Sequence, residues 1–341
     1  MLQPVPADRR RFLLAALRRA SALLLAPGLA ACDVREYARR HGGKLRLSIA
    51  TGPVGGTFYV YGAALARTIG RHVPNVEATA EVTSASVDNL KLMATGRADL
   101  AFTLAPALRD GVEGRRAFAS VGRVPARALA ALNIHRMHLV TLEGLGIATL
   151  DDLRGRVVSV GWPGSGSEDV ALRLLESAGI DPARDIRRQG LGPTVAADAL
   201  KDGKLDAFFW ISGSGVPAFV DLALATGHRM RLLDLSRTLG PLQQAYGPQI
   251  FRPALIPSRF YPGVERDVPT VGTPNVLVAD AAMSERLAYE ITRALFGDQA
   301  ELAAIVPDAK ELSLELGPTA SPVPYHPGAI RYYREQGAWR S

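Results

Sequence analysis

The chain has 341 residues, of which 48% are hydrophobic and 21% charged, a composition typical of globular proteins. The length favours two lobes, and the apolar fraction excludes disorder over most of the chain. The net charge is +7, but residues 1–31 hold five arginines and one acid, which leaves 35 basic and 32 acidic residues in 32–341. Because these basic residues are scattered among acids, we expect no nucleic-acid binding.

Cysteine and histidine are too few or too dispersed to predict a metal centre. Cys32 is the single cysteine, so neither an intrachain disulfide nor a cysteine-based metal site is possible. Of the six histidines only His135 and His138 are close in sequence, inside an apolar run that is typical of a strand. A spacing of three places their side chains on opposite faces of a strand. We therefore expect neither a metal ion nor another cofactor.

Residues 1–31 are predicted to form a signal peptide of the lipoprotein type. Arginines precede a short apolar run, which is too short after Arg19 to span a bilayer. Leu29–Cys32 resembles the bacterial lipobox, in which the cysteine is lipid-modified, although a chance cysteine beside an ordinary cleavage site remains the alternative. The start also resembles a twin-arginine signal, so the export route stays open. We expect a periplasmic protein that Cys32 anchors to the inner membrane.

The first half of the mature chain is predicted to alternate strands and helices. A strand at 44–51 leads into a glycine loop that ends at Thr57, and a helix follows from about 58 to 71. A second helix ends at Gly96, the residue type expected after a last helical turn, and a strand follows to Phe102. The apolar segment 128–142 is predicted to be a strand that links two lobes.

The second half repeats this order. A strand at 156–160 leads into a loop from Gly161 to Ser167 and a helix at 168–177, and Gly203 ends a further helix before the next strand. Both loops end in Thr or Ser, which are good N-cap residues. Because right-handed crossovers make such units parallel sheets, we expect two similar α/β lobes. A third polar loop, 212–215, precedes a helix predicted from about 217 to 225.

The remaining elements complete a two-lobed architecture. A second linking strand is predicted at 270–278, with helices near 284–305 and at 328–336. Two strands that cross between lobes predict a hinge, with a ligand cleft between the lobes. We assign residues 44–142 plus 265–341 to lobe 1 and 143–264 to lobe 2.

The polar glycine loops are expected to bind a small anion. Ligands of open α/β sheets bind beyond the carboxyl ends of the strands, where helix N-termini present free N–H groups. Glycines let the backbone approach a carboxylate or phosphate, and Ser and Thr hydroxyls add donors. Trp162 and Trp210 lie at the loop edges, where they would either wall the cleft over an apolar ligand portion or simply pack.

None of these loops fits a nucleotide-binding or nucleophile motif. No lysine follows the glycines as in a P-loop, the dinucleotide pattern Gly-x-Gly-x-x-Gly is not met, and Gly-x-Ser-x-Gly is absent from 161–167 and 212–215. Glu168 and Asp169 favour the first turn of their helix rather than acid–base chemistry. We therefore expect a binding protein and not an enzyme.

Several segments together resemble the TAXI family of solute receptors, which serve TRAP (tripartite ATP-independent periplasmic) transporters: Ala50–Tyr59, Gly96–Phe102, Val158–Glu168, Ala199–Phe209, Tyr261–Thr270, Tyr289–Phe296 and His326–Glu335. The resemblance implies a type II periplasmic-binding-protein fold. It also implies that hinge closure captures an organic acid of the glutamate or 2-oxoglutarate class for a separate, ion-gradient-driven permease. The ligand site would comprise Gly55, Gly56, Thr57, Tyr59, Thr103, Leu104, Trp162, Ser165, Gly166, Ser167, Trp210, Ser212, Gly213 and Ser214.

Two residues depart from the family pattern. Leu104 stands where relatives commonly carry a polar stretch, and Trp162 replaces a residue that is usually small. Both changes favour a bulkier or less polar carboxylate than glutamate. An ABC-type or sensor-linked periplasmic binding protein for another small anion would share the fold and is the alternative. Residues 337–341 show no membrane helix of the kind some relatives carry, so the permease is expected to be a separate chain.

Overall fold

The computed structural model describes residues 43–54, 56–225, 227 and 229–340. The predicted signal peptide, Cys32 and Gly55 lie outside these residues. The chain divides into two compact units, Met1–Arg46 and Leu47–Ser341, and the first is almost wholly outside the described part. None of the described helices is both long enough and apolar enough to cross a membrane.

In the described part of the chain, ten strands form one mixed sheet, whose spatial order is β2-β1-β3-β10-β4-β7-β5-β6, with β8 paired to β4 and β9 paired to β10. Their bounds are β1 Leu45–Ala50, β2 Val76–Glu81, β3 Leu100–Leu104, β4 Ala126–Leu142, β5 Val157–Ser159, β6 Arg187–Gln189, β7 Ala207–Ser212, β8 Met230–Leu232, β9 Arg252–Ile256 and β10 Val268–Asp280.

Ten α-helices connect these strands or follow them in the described part of the chain: α1 Thr57–His72, α2 Ser86–Ala94, α3 Ala105–Glu113, α4 Gly166–Ser177, α5 Pro193–Lys201, α6 Pro217–Leu224, α7 Leu239–Tyr246, α8 Glu285–Gly297, α9 Gln299–Ile305 and α10 Pro327–Glu335. The single helix predicted near 284–305 is two helices, because Asp298 ends α8 with φ −103° and ψ 18° and serves as the N-cap of α9.

Two long antiparallel strands run through both halves of the sheet. β4 has 17 residues and β10 has 13, and they pair with each other from Ala126 to Arg136 on the β4 side. The last part of β10 also pairs with β3, whereas the last part of β4 pairs with β7 and β8. This arrangement confirms the expected α/β fold, in which two strands connect two sheet halves.

Parallel pairing within each half sets the direction of the loops. β1 is parallel to β3, and β5 is parallel to both β6 and β7. The carboxyl ends of these strands therefore carry the loops that precede helices α1, α4, α5 and α6. Buried apolar side chains fix the second half, with Val140, Leu200, Phe208, Phe219 and Tyr261 in one cluster. The C-terminal helices α8 and α10 pack against each other, and α8 also contacts α1.

Candidate ligand-binding site

A cavity of about 450 Å³ lies at the loops that follow six of the strands. Its walls come from residues after β1 (Gly52, Pro53, Val54, Gly56, Thr57, Phe58), after β2 (Ser84, Ala85, Ser86), at the end of β3 (Leu104), after β5 (Trp162, Ser165, Gly166, Ser167), after β6 (Gly192, Pro193, Thr194, Val195) and at β7 and beyond (Trp210, Ile211, Ser212, Gly215, Val216, Pro217, Ala218), with His135 from β4. Its volume suits a small organic molecule.

Five helices begin at this cavity. Thr57, Ser86, Gly166, Pro193 and Pro217 are the first residues of α1, α2, α4, α5 and α6, and all five line the cavity. The first amides of a helix have no partner inside the helix, and its N-terminus carries a partial positive charge. This end of the sheet therefore offers a positive potential to a ligand, and the amides of Thr57 and Gly166, which have no acceptor in the described part of the chain, offer N–H donors.

The loop from Gly161 to Ser167 folds tightly because its glycines have positive φ. Gly161 has φ 96° and Gly164 has φ 78°, and a Cβ at Gly161 would lie 2.6 Å from Cβ of Ser167. Ser165 is the N-cap of α4 and accepts a hydrogen bond from the Glu168 amide at 3.1 Å, while Glu168 Oε2 accepts from the Gly164 amide at 2.7 Å. The cap expected from the sequence was Ser167, so the helix begins two residues earlier than predicted and a different serine caps it.

The corresponding loop before α1 is capped differently. Gly56 is the N-cap of α1, with no side-chain hydrogen bond, and Thr57 is the first helical residue, so a Thr cap was the wrong expectation here. The Gly56 amide instead donates to the carbonyl of Pro53 at 2.9 Å and closes a turn. The turn aims the N-terminus of α1 at the cavity without using a side chain.

A loop that the sequence analysis missed, Ser84–Ser86, forms the wall beside α2. Ala85 has φ 84° and ψ −153°, a strained conformation for a residue other than glycine. Its amide donates to Thr83 Oγ1 at 3.0 Å, and the Asn89 amide group donates to the carbonyls of Thr51 (2.6 Å) and Phe102 (2.7 Å). The run of Thr and Ser just before a helix was the available signal.

The two sheet halves touch at the cavity rim. The amides of Val87 and Asp88 in α2 donate to the carbonyl of Gly164 at 3.2 and 3.3 Å. A Cβ at Gly166 would lie 2.6 Å from both Leu104 Cδ1 and Ser86 Oγ. A side chain at position 166 would therefore force Leu104 or Ser86 to move where α4 approaches β3 and α2.

Nine of the residues predicted for the site line the cavity: Gly56, Thr57, Leu104, Trp162, Ser165, Gly166, Ser167, Trp210 and Ser212. Four do not: Tyr59, Thr103, Gly213 and Ser214. Thr103 is buried in β3 one residue before Leu104, and its hydroxyl donates to the Leu104 carbonyl at 3.4 Å. Gly213 instead packs on Asn133 and Asp308, which a Cβ would approach to 2.2 and 2.3 Å.

The third loop is positioned from the second half of β4. Arg136 donates through one guanidinium nitrogen to the Gly213 carbonyl at 2.6 Å and through another to Glu311 Oε1 at 2.7 Å. The Val216 amide donates to the Tyr261 hydroxyl at 3.2 Å, which lies 3.0 Å from His138 Nε2. Burial lowers the pKa of His138 to about 4, so this ring is neutral at pH 7.

None of the described lining residues is charged at neutral pH. They include no Asp, Glu, Lys or Arg, and the one titratable side chain, His135, is neutral because burial lowers its pKa to about 3. Nor does any group of three or more His, Cys, Asp or Glu within residues 43–54, 56–225, 227 and 229–340 form a metal-ion site. The cavity can therefore contribute apolar contacts, hydroxyls and backbone amides to a ligand.

The strand order, with two antiparallel strands shared by two α/β halves, is that of a type II periplasmic-binding-protein fold. The chain belongs to the NMT1-like family, whose sequence model matches residues 49–337.

Three solved structures are similar to this chain at low sequence identity. A protein from Bordetella bronchiseptica RB50 is 18% identical over 87% of this chain and 90% of its own, with a TM-score of 0.50. The periplasmic aliphatic sulphonate binding protein SsuA from Escherichia coli is 16% identical over 85% of this chain and 82% of its own, with a TM-score of 0.43. An ancestral arginine-binding protein bound to arginine is 16% identical over 76% of this chain and 97% of its own, with a TM-score of 0.46. At such identities the likeness concerns the fold alone.

Proposed function

We propose that the protein is an extracytoplasmic solute receptor, which captures a small organic acid in the cavity and delivers it to a membrane permease. The observation that carries this proposal is the convergence of five helix N-termini on one cavity whose described walls hold no charged side chain. The amides of Thr57 and Gly166 have no acceptor among the residues the structure describes. Donors of this kind bind carboxylates through charge-assisted hydrogen bonds.

The same walls favour an acid with one carboxylate and an apolar body. A second carboxylate would need a lysine or arginine in the cavity, and an ammonium would need an acid. The described lining supplies neither. Trp162, Trp210, Leu104 and Phe58 instead offer apolar surface, and aromatic rings contribute large contact areas. A bulkier monocarboxylate therefore fits better than glutamate or 2-oxoglutarate.

A thermal-shift panel followed by calorimetric titration tests this proposal on the purified protein. The panel contains aliphatic and aromatic monocarboxylates, dicarboxylates, amino acids, sulfonates and phosphate. A ligand at 100 times its Kd stabilises a protein by about 2.7 kcal/mol, which shifts the Tm by several degrees. We expect the largest shift with a monocarboxylate. Folded, ligand-free protein that responds to no acid would refute the proposal.

Two aromatic-to-leucine variants separate the cavity from its surroundings. Trp210→Leu removes an indole that lines the cavity, so we expect weaker binding of the selected acid by about tenfold. Tyr59→Leu is the matched control, because Tyr59 lies in α1 two residues after Thr57 but outside the cavity walls. Equal loss of affinity in both variants would place the ligand elsewhere.

Ligand capture is proposed to use closure about the two shared strands. The predicted lobes, residues 44–142 plus 265–341 and 143–264, would move about β4 and β10, and a ligand that contacts both would favour the closed form. Small-angle scattering with and without the selected acid measures this movement. A smaller radius of gyration with ligand is expected, and superimposable curves at saturating ligand would contradict closure.

The proposal also concerns the class of permease to which the receptor delivers its ligand. The TAXI resemblance favours a TRAP permease driven by an ion gradient, whereas an ABC-type permease or a membrane-bound sensor would use the same receptor fold. Proteoliposomes that contain a candidate permease distinguish the classes, because TRAP uptake requires an ion gradient and ABC uptake requires ATP. A Cys32→Ser variant that leaves the membrane fraction would support the proposed periplasmic lipid anchor.

A further inference from the structure

A cluster of buried polar side chains lies behind the inner wall of the cavity. Five buried side-chain nitrogen or oxygen atoms have no hydrogen-bond partner within the described part of the chain. Three of them belong to this cluster: His135 Nε2, Asn275 Oδ1 and Asp308 Oδ1. Buried polar groups in folded proteins are nearly always hydrogen-bonded, so such a concentration points to a missing partner.

Direct contacts hold the cluster together. The Asn275 side-chain amide donates to Asn133 Oδ1 at 2.9 Å, and that of Asn133 donates to Asp308 Oδ2 at 3.2 Å. His135 Nε2 lies 3.7 Å from the same Asp308 oxygen, too far for a hydrogen bond. Asp308 comes from the short helical turn Pro307–Glu311, so residues from β4, β10 and the C-terminal segment meet here.

His135 is the member of the cluster that lines the cavity. It is 97% buried, since its relative exposure is 3%, and its ring packs 5.5 Å from the ring of Phe58. Within residues 43–54, 56–225, 227 and 229–340, the ring nitrogen Nε2 of His135 has no hydrogen-bond partner. The nearby Asp308 carboxylate favours a proton on Nε2, which leaves the Nδ1 lone pair as an acceptor.

We propose that His135 is a specificity-determining residue, which accepts a hydrogen bond from a neutral donor group of the ligand such as a hydroxyl. This inference rests on the proposed function and names a second feature of its substrate. With its proton on Nε2, the His135 ring offers the cavity an acceptor at Nδ1, so the complementary group of the ligand is a donor. A second carboxylate is unfavourable at this place, because the Asp308 carboxylate lies 3.7 Å from the ring.

The substrate class is therefore a hydroxylated monocarboxylic acid with an apolar body. A site built to hydrogen-bond a hydroxyl discriminates against an analogue that lacks it, because the polar group of the protein is then left unpaired. Neutral hydrogen bonds of this kind change affinity by about threefold to tenfold.

Calorimetric titration with matched acids tests this inference. We compare 3-phenylpropanoate with its 2-, 3- and 4-hydroxyphenyl isomers on the wild-type protein and on His135→Phe. One isomer is expected to bind the wild type about threefold to tenfold tighter than the parent acid, and the variant is expected to lose this preference. Tyr59→Phe, outside the cavity walls, is the control and should retain it.

A measurement on the unaltered protein covers the case in which His135→Phe does not fold. With ¹⁵N-labelled histidine, the ring resonances of His135, assigned with His135→Asn, should shift more with the preferred hydroxylated acid than with its parent. Identical His135 resonances in both complexes would overturn the inference, as would a hydroxyl preference that persists in His135→Phe. Acids that bind without any hydroxyl preference would overturn this inference alone, whereas the failure of every acid would overturn the proposed function itself.

Discussion

Arg173 links the two halves of the molecule through a buried ion network. It lies in α4 with a relative exposure of 1%, and it donates to Asp110 of α3 and to Asp169, the latter at 3.0 Å. Its Nε donates to the other Asp169 oxygen at 3.2 Å, and its guanidinium lies 4.7 Å from the ring centre of Tyr246. The Arg173→Met variant keeps an apolar stem of similar length and leaves two carboxylates without their main cation.

We expect Arg173→Met to lower the free energy of unfolding strongly, because both carboxylates are mostly buried. Their side chains are 7% and 12% exposed, so water cannot replace the guanidinium. Removal of one partner from a buried pair costs about 3–5 kcal/mol. Arg116 Nε lies 3.9 Å from Asp110 Oδ2 and still partly neutralises this carboxylate in the variant. We therefore expect the free energy of unfolding to fall by about 3 kcal/mol. This is a large share of the 5–15 kcal/mol that is typical of folded proteins.

Urea unfolding at pH 7.5 and pH 5 measures this loss of stability and the direction in which it changes with pH. Burial already raises the pKa of Asp169, and loss of the Arg173 charge will raise it further. The folded variant then binds protons at a higher pH than its unfolded chain, so the variant gains stability relative to the wild type as the pH falls. The difference between the two proteins should therefore be smaller at pH 5 than at pH 7.5.

An exposed ion pair supplies the control for this experiment. Arg184 Nε lies 2.6 Å from Asp181 Oδ2, but its side chain is 80% exposed, so Arg184→Met should cost less than about 1 kcal/mol. The reasoning fails if Arg173→Met is within about 1 kcal/mol of the wild type at pH 7.5, or if the difference does not shrink at pH 5.

Three further predictions use the same unfolding assay. Gly62→Ala should lower the free energy of unfolding by about 1–3 kcal/mol, because the new Cβ would lie 2.3 Å from Thr51 Cγ2. In the same helix, the Cβ of Gly70→Ala meets nothing within 4 Å, so this variant should raise the free energy of unfolding by about 0.5–1 kcal/mol. Equal effects of the two variants would contradict this reasoning. Burial lowers the pKa of His138 to about 4 in the folded protein, whereas a histidine in the unfolded chain has a pKa of about 6.5. Between these two pH values the unfolded chain binds a proton that the folded protein does not. The wild type should therefore lose about 2 kcal/mol more than His138→Gln between pH 7 and pH 5, and parallel pH profiles would refute this. Ala85→Gly should raise stability by about 1 kcal/mol by relieving the backbone at φ 84°, and a loss would show that this conformation carries no strain.

Local patterns predicted the glycine loops before α1 and α4, but not the loop before α2. Gly161 and Gly164 have the positive φ that their tight turn needs, although α4 is capped by Ser165 and not by Ser167 as expected. A side-chain cap, a left-handed glycine and an alternation of strand and helix each depend on neighbours within a few residues. These features can therefore be inferred from a single sequence, as can the position of nine residues that line the cavity.

Residues brought in from distant segments could not be predicted in this way. His135 was interpreted as a strand residue, and nothing in its neighbours indicated that β4 would place it on the cavity beside Asp308, 173 positions later. Gly213 was expected to contact the ligand, but it packs on Asn133 and Asp308. Such contacts depend on the register between β4 and β10, which the periodicity of each strand alone leaves open.

The sequence by itself determined the order of strands and helices, the two halves and the glycine loops, because these follow from hydrophobic periodicity and local backbone preference. Only the tertiary structure decided which loops share one cavity, that no described wall residue is charged, and that Arg173 bridges α3 and α4. The reason is physical: charge and burial at a site depend on every segment that surrounds it, and those segments meet only when the chain folds.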